Sequence, residues 1–416
     1  MRYDVIVVGG GLVGATLALV LGEAGLDVAI VERSREPVPA PGPTFGARVS
    51  TFTVASERIL RATGTWPLIP ADRIGPMREM HVWERSGEVH FDSAEIGEPA
   101  LGHVIENAVV QWAVEQRLAA RPNVEWHRGE ALVGLAVEGG EARAGLGGRD
   151  LRGSLVVGAD GAGSRVRELA GIDVTEGDYR QQAVVAEVRT AAAHRETAWQ
   201  RFLPTGPLAF LPLANGASSI VWSTTPAHAA ELCALDEDAF GPEVADAFEW
   251  RLGAVTASGA RASFPLRHLH ARAYVRDRVA LAGDAAHVVH PLAGQGVNLG
   301  LLDAAALAEV VSRARGLGRD IGSRATLRRY ERWRRGHNAA MQAVLGGFRH
   351  LFSAPWPPAR WLRETGFALT DRLPPLKAGF MRHASGFDGD LPVLARYDPA
   401  RPRRMSSGPP GGAAND

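Results

Sequence analysis

YDVIVVGGGLVGATLALVLGEAGLDVAIVE, residues 3–32, is the stretch whose reading decides the fold. Tyr3 to Val8 is an apolar run too short for a helix and reads as a buried parallel strand. Gly9 to Gly14 follows, and an apolar helical pattern runs from Ala15 to Glu23. Gly25 ends that helix, and Asp27 to Val31 is a second apolar strand, closing a strand–helix–strand unit of about 30 residues. Gly9, Gly11 and Gly14 fall at the G-x-G-x-x-G positions. Gly9 permits the tight turn, Gly11 lets a pyrophosphate approach the backbone, and Gly14 lets the helix pack on the strand; the helix N-terminus favours the diphosphate charge. Glu32 lies about 20 residues further on, where a carboxylate accepts hydrogen bonds from ribose hydroxyls. A glycine-rich turn in an ordinary α/β fold is the alternative, and the complete context argues against it. The motif leaves NAD and FAD equally open.

Outward from this unit, Arg48 to Ala62 has helical character and Arg78 to Asp92 alternates like strands. Asn107 to Ala119 is an amphipathic helix with Val110, Val114 and Leu118 on one face. Val124 to His127 and Ala131 to Val137 read as strands, Gly139-Gly140 as a hairpin turn, and Gly153 to Gly158 as another buried strand. The middle changes character. Ala183–Arg189, Ala198–Leu203, Leu208–Leu213 and Ser219–Thr225 are short β-rich runs separated by turn residues, which predicts an antiparallel sheet. Arg278 to Ala282 returns to a buried strand, and Gly300 to Val311 is an apolar helix. The expected fold is α/β (α+β overall): a Rossmann-like dinucleotide-binding domain made of 1–75, 101–180 and 270–340, and a β-rich substrate domain made of 76–100 and 181–269. A C-terminal helical region at 341–400 and a disordered Pro/Gly/Ser tail at 401–416 complete it.

Two further motifs sit at strand ends. LVVGADGAGSRVR (155–167) places Asp160-Gly161 after a buried strand, where α/β ligands bind; a tight turn with Ser164 as a helix cap explains the same residues. VALAGDAAHVVHPLAGQGVNLGLLDA (279–304) ends a strand in Gly283-Asp284 and reaches a helix through Pro291, Gly294 and Gly296. A strand-end carboxylate can bind a polyol, and a glycine-rich loop before a helix can donate amides to an electron-rich ring edge. A loop with structural glycines is the plain reading. His287 and His290 have metal-pair spacing, but catalytic zinc needs three protein ligands, so no metal is expected there. His290 borders the substrate cavity or makes a structural hydrogen bond.

Composition excludes several classes. The 416 residues carry 46 Lys plus Arg against 46 Asp plus Glu, which removes any global electrostatic case for nucleic acid. The single cysteine, Cys233, allows no intrachain disulfide and fits a reducing compartment. No apolar run approaches the roughly 18 residues of a span and no signal-peptide pattern precedes the first strand, so a cytoplasmic protein is expected. LRRYERWRRGH (327–337) is basic with interleaved aromatics. It reads first as an amphipathic helix packing Leu, Tyr and Trp on the core with Arg in water. With Phe348 to Trp361 it has a second reading, a peripheral surface for the inner face of a membrane or for a partner.

The three motifs, in this order, resemble the single-component flavin monooxygenases of the para-hydroxybenzoate-hydroxylase fold, and within them the ubiquinone-biosynthesis hydroxylases. GDAAHVVHPLAGQGVNLGLLD is close to that family's signature, and LGHVIENAVVQWAVEQRL (101–118) and FMRHASGFDGDLPVLAR (380–396) are similar to it as well. The resemblance implies tightly but non-covalently bound FAD. Gly9, Gly11, Leu12, Val13 and Gly14 would face its diphosphate, and Glu32 with Arg33 the adenosine ribose. Arg48 would lie near the ribityl–diphosphate region and Gln111 would reach the diphosphate. Asp160 would belong to a loop shared with the nicotinamide cofactor, and Gly283-Asp284 would bind the ribityl chain. Pro291, Gly294, Gly296, Val297 and Asn298 would wrap the isoalloxazine, with His290 and Pro291 near flavin and substrate. It further implies reduction by transiently bound NAD(P)H, a flavin C4a-hydroperoxide formed with O2, and hydroxylation of an aromatic, lipid-tailed substrate, with no acid–base residue assigned. A biosynthetic-complex contact and a homo-oligomer stay open, as do three rivals: a hydroxylase of a soluble aromatic metabolite, an isoprenoid reductase and a non-catalytic flavoprotein. From position alone, Phe210, Leu211, Pro212 and Trp222 are candidates for the substrate pocket.

Overall fold

Short apolar runs become parallel strands because consecutive residues are buried on both faces. Val5, Ile6 and Val7 are fully buried, as are Val28, Ala29 and Ile30. In the computed structural model, which describes residues 2–84, 87–289, 295–353 and 389–396 with positions 377, 379, 381 and 386, these runs form one eight-stranded sheet. Its main path runs Val275–Arg276, Val279–Leu281, Arg149–Gly158, Arg2–Val8, Val28–Glu32, Val124–Arg128. From Val279–Leu281 onward every neighbouring pair is parallel. The hairpin Leu132–Glu138 and Glu141–Leu146 adds to Arg149–Gly158 antiparallel. Its turn uses Gly139 and Gly140 at φ 56° and 80°, a backbone region that costs glycine nothing. Helix Leu12–Glu23 packs against helices Asn107–Ala119 and Gln295–Gly316.

The β-rich middle forms a nine-stranded sheet. Its path runs His287–Val288, Ala262–Ala271, Val174–Thr190, Ser218–Thr224, Gly206–Pro212, Thr197–Leu203, Glu79–Glu84, Gly87–Asp92. Val255–Ser258 pairs on the side with Val174–Thr190. The pairing is antiparallel except between Thr197–Leu203 and Glu79–Glu84. Val174–Thr190 bends at a bulge between Asp178 and Gln181, where Arg180 takes φ 54°. A three-stranded sheet of Val49–Thr53, Gly102–Glu106 and Gly75–Met77 lies beside it; Val49 and Val104 share a cluster with Leu211 of the large sheet and Leu213 just after its strand.

Three expectations are corrected. Arg48 to Ala62 is not one helix: Val49–Thr53 is a strand and Val54–Ala62 a helix. VSTFT is β-branched and aromatic, and the Thr53 hydroxyl accepts from the Ser56 N–H as the helix cap. Helices Pro226–Ala234 and Glu237–Ala247 follow the Ser218–Thr224 strand, each started by a capping side chain, Thr225 and Asp236. They seal one sheet face, and Phe210 and Trp222 are buried under them with Phe240, Val244 and Phe248. Those two aromatics therefore belong to the core under these helices. Leu211 points to the opposite face, with Met77, Leu101 and Ala198.

The basic stretch lies in helix Arg324–Ser353. Leu327, Tyr330, Arg334, Asn338 and Met341 form its buried stripe, at helical spacing. Leu, Tyr and Trp pack on the core as expected, but Arg334 goes inward with them rather than into water. Among the described residues no helix is long and apolar enough to cross a membrane. The side chains of Phe348 to Trp361, and the tail at 401–416, lie outside the described residues.

Candidate active site

Register brings the three motifs to one edge. Val8 pairs with Gly158 and with Val31, and Gly158 pairs with Leu281. The four parallel strands thus end side by side, and the glycine loop, Glu32, the Asp160 loop and the Gly283-Asp284 turn leave from adjacent carboxyl ends. Open α/β sheets bind ligands in that crevice.

The glycines divide by what a side chain would meet. Gly9 has φ 102°, and a Cβ there would lie 2.3 Å from the Ala159 carbonyl oxygen. A Cβ on Gly14 would lie 2.0 Å from the Gly9 carbonyl oxygen. These two make the turn and the helix packing possible. At Gly11 a Cβ meets nothing within 4 Å, so this glycine opens onto free space in front of the helix. The helix N-cap is Gly11 itself, with no side chain capping the first amides. Leu12 is buried. Val13 packs against Gly300, where a Cβ would lie 2.5 Å from it, and against Gly283, which takes φ 61°.

Glu32 braces the same loop. One carboxylate oxygen accepts the Gly10 N–H at 2.7 Å and the other the Ser34 N–H at 2.9 Å. Gln111, on helix Asn107–Ala119, donates its amide to the Gly10 carbonyl at 3.0 Å. A glutamine 101 positions away therefore meets the glycine loop. Arg33 is exposed beside Glu32. Arg48 is exposed just before the Val49–Thr53 strand and acts electrostatically on Asp284.

Asp284 is solvent-exposed yet has protein around most of its carboxylate, which places it on the wall of a cleft. That burial raises its pKa, while His287 and Arg48 pull it down. The turn beneath it is anchored by Asp303, a residue the sequence reading missed. Fully buried, Asp303 accepts the Gly283 N–H at 3.1 Å, pairs with His287 Nε2 at 2.5 Å and Arg334 Nε at 2.8 Å, and accepts from Asn338 Nδ2 at 3.1 Å. Burial alone would raise its pKa. His287 and Arg334 outweigh that and hold the carboxyl well below the usual range. His287 thus has a structural carboxylate partner. A lone acid in the apolar run Leu301-Leu302-Asp303-Ala304 was the signal available.

Asp160 turns inward to its own loop. Its oxygens accept from the Ser164 hydroxyl at 2.5 Å and from the Arg165 and Val166 amides at 2.7 and 3.1 Å. The carboxylate holds the first amides of helix Arg165–Leu169. Arg167 then joins two motifs, donating to the Ala285 and Ala162 carbonyls at 2.9 and 2.7 Å. The sequence reading did not single it out.

Helix Gln295–Gly316 starts at the third motif. Gly296 and Val297 are half-buried in its first turn, and a Cβ on Gly296 meets nothing within 4 Å. The Asn298 side chain is buried and committed to protein. Its Oδ1 accepts the Thr53 N–H at 2.9 Å and the Ser56 hydroxyl at 2.7 Å, and its Nδ2 donates to the Thr51 carbonyl at 2.7 Å. It clamps this helix to the Val49–Thr53 strand and the helix after it. His290, Pro291 and Gly294 lie outside the described residues.

Fit to a dinucleotide can be judged from these contacts. Open space in front of Gly11 suits a diphosphate at a helix N-terminus. Asp284, a cleft-wall carboxylate with no hydrogen bond to the described residues, suits a polyol. The comparisons agree. The family profile described as FAD binding domain matches residues 2–344. The 3-demethoxyubiquinol 3-hydroxylase of Escherichia coli (strain K12) is 39% identical over 394 residues, covering 92% of this chain and 98% of that protein. The ubiquinone hydroxylase UbiL of Rhodospirillum rubrum is 37% identical over 409 residues, covering 98% and 93%. The crystal structure of p-nitrophenol 4-monooxygenase PnpA from Pseudomonas putida DLL-E4 superposes with a TM-score of 0.75 at 20% identity, covering 93% of this chain and 99% of that one, which bears on the fold. With its FAD binding domain, its glycine loop and its carboxylate turn, the chain belongs to the FAD-dependent monooxygenases, in the family of the ubiquinone-biosynthesis hydroxylases.

Proposed function

We propose that the chain hydroxylates the ring of a polyprenylated phenol or quinol on the route to ubiquinone, with NAD(P)H as reductant. The alignment of the glycine loop, Glu32 and the Gly283-Asp284 turn on adjacent strand ends supports the flavin half of this reading, and the identity of 37–39% with ubiquinone-biosynthesis hydroxylases over most of the chain carries the substrate half. Gly11 and the helix behind it receive the FAD diphosphate, Glu32 the adenosine ribose, and Asp284, with Arg48 opposite, the ribityl–diphosphate region. The first turn of helix Gln295–Gly316 offers its amides to the isoalloxazine. FAD, when bound, supplies the redox chemistry that activates O2 for transfer to an electron-rich ring.

The chain's own tasks are to orient and to keep water out. The eight-stranded sheet and its helices hold the cofactor, and the nine-stranded sheet, whose strands Val174–Thr190 and Ala262–Ala271 run across the expected boundaries at 180 and 269, holds the ring. Leu211, Met80 and Phe91 are half-buried and pack on a small core of Met77, Leu101, Ala198 and Met381. Their exposed parts would offer apolar contact to an aromatic ring with an apolar tail. Arg328, Arg329, Arg332 and Arg335 stay exposed on helix Arg324–Ser353 and would meet an anionic membrane surface where such a substrate resides.

The test is growth rescue. The gene is placed in strains that each lack one ring hydroxylase of ubiquinone synthesis, and lipid extracts are read by mass spectrometry. Restored quinone in one strain supports the reading and names the ring carbon. No rescue in any strain, with FAD still bound to the purified protein, rejects the substrate and favours a soluble aromatic compound.

A further inference from the structure

The hairpin at the far edge of the mixed sheet carries a cluster that flavin binding does not use. His81 and His90 stand directly opposite one another on strands Glu79–Glu84 and Gly87–Asp92, and Glu79 precedes His81 by two positions. Strand alternation puts all three side chains on one face. The other face, with Val82, Val89 and Phe202, is apolar. One potential ligand atom from each of Glu79, His81 and His90 lies within 4.8 Å of the other two. Glu79 is 3.0 Å from His90 Nε2, and the imidazole rings are 4.2 Å apart.

The surroundings orient these ligands. His81 Nδ1 lies 3.1 Å from Glu88, and Arg251 holds Glu88 at 3.0 Å. With Nδ1–H donated to that carboxylate, the lone pair of His81 sits on Nε2; an imidazole backed by a carboxylate is the usual arrangement behind a metal-binding histidine. The Trp199 indole stacks on His81 at 4.5 Å and 13°, which fixes the ring plane. Two separate surface ion pairs, Glu79–His90 and Glu88–His81, account for the contacts one by one. They do not require the two imidazoles and a carboxylate to converge on one point.

We propose that Glu79, His81 and His90 form a site for a divalent first-row metal ion of the zinc class. Two imidazoles and a carboxylate are the donors zinc takes when a fourth position stays open to water. Bonds of about 2 Å require the ligand atoms to close to roughly 3.3 Å, which a turn of the half-buried His90 ring provides. On binding, His90 turns its Nε2 lone pair to the metal as the neutral imidazole with its proton on Nδ1, and the Glu79 carboxylate gives the metal the oxygen that faced His90. The ion would staple the terminal strand of the sheet to its neighbour.

The experiment uses the full FAD-loaded protein, stripped with chelator and titrated with ZnCl2 by calorimetry. One zinc per chain should bind and raise the thermal midpoint. Affinity should fall at least about tenfold in His81→Ala, His90→Ala and Glu79→Gln, and about tenfold in Glu88→Gln, with FAD content unchanged. X-ray absorption on the zinc-loaded parent keeps the test independent of how the variants fold: it should show imidazole scattering from two histidines. Zinc binding equal to that of the double variant His81→Ala/His90→Ala, or an absorption spectrum without imidazole, overturns the proposal.

Discussion

Replacing Asp303 by Asn tests how the cofactor cleft is held open. The carboxylate is wholly buried among four donors: the Gly283 amide, His287, Asn338 and the buried guanidinium of Arg334. Asn keeps the shape but turns one oxygen into an amide donor, and because each oxygen takes two of the four donors, two of them face a donor in place of an acceptor. It also removes the negative charge and leaves Arg334 buried and uncompensated. Breaking one side of a buried ion pair costs about 3–5 kcal/mol, a large share of the roughly 5–15 kcal/mol that stabilises a domain. Urea unfolding followed by circular dichroism should show that loss. Flavin release, followed by fluorescence, should come at lower urea still, because Gly283 carries Asp284. Adding Arg334→Met removes the orphan charge and should recover at least half the loss. The pH dependence has a definite sign. The folded pKa of Asp303 lies below the unfolded value of about 3.9, so its contribution is present above that pH and is lost as pH falls toward the folded value. The gap between parent and Asp303→Asn should therefore narrow below about pH 4. A variant within about 0.5 kcal/mol of the parent, or an Arg334→Met cost that simply adds, would refute the reasoning.

Two alanines in the glycine loop should part company. Gly11→Ala enters open space, so the midpoint of the flavin-free protein should move by less than about 0.5 kcal/mol while FAD retention drops; Gly14→Ala, 2.0 Å from the Gly9 carbonyl oxygen, should lower both. Asp284→Ala should weaken FAD by about 10- to 100-fold in equilibrium dialysis, the worth of one or two hydrogen bonds to a charged group. Asn298→Leu strands the Thr53 amide and the Thr51 carbonyl, so it should cost about 2–4 kcal/mol in urea unfolding even though it keeps the volume apolar.

The cofactor half of the molecule was legible because its signals are local. A strand, a glycine turn and a helix stand within residues 3–32 as read, and Asn107–Ala119 matches its predicted bounds. Val49–Thr53 was not legible as a strand, since Ser and Thr before an apolar run also announce a helix; Thr53 does both, ending the strand and capping the helix. The helices at 226–247 were hidden by Pro242, which sits inside the second one. The Asp303–Arg334 pair joins two helices across 31 positions, and sequence cannot say which of several arginines in LRRYERWRRGH turns inward. Asp160 shows the converse: a motif position whose carboxylate is spent on its own loop.

The most direct test of the central claim is oxygen transfer by the purified protein. FAD-loaded protein is given NAD(P)H, a prenylated phenol and oxygen-18 gas, and the products are read by mass spectrometry. The account predicts a ring-hydroxylated product carrying one labelled oxygen atom, formed only when FAD, NAD(P)H and phenol are all present. A hydroxylated product whose new oxygen comes from water would contradict it, as would NAD(P)H oxidation that never yields labelled product from any phenol supplied.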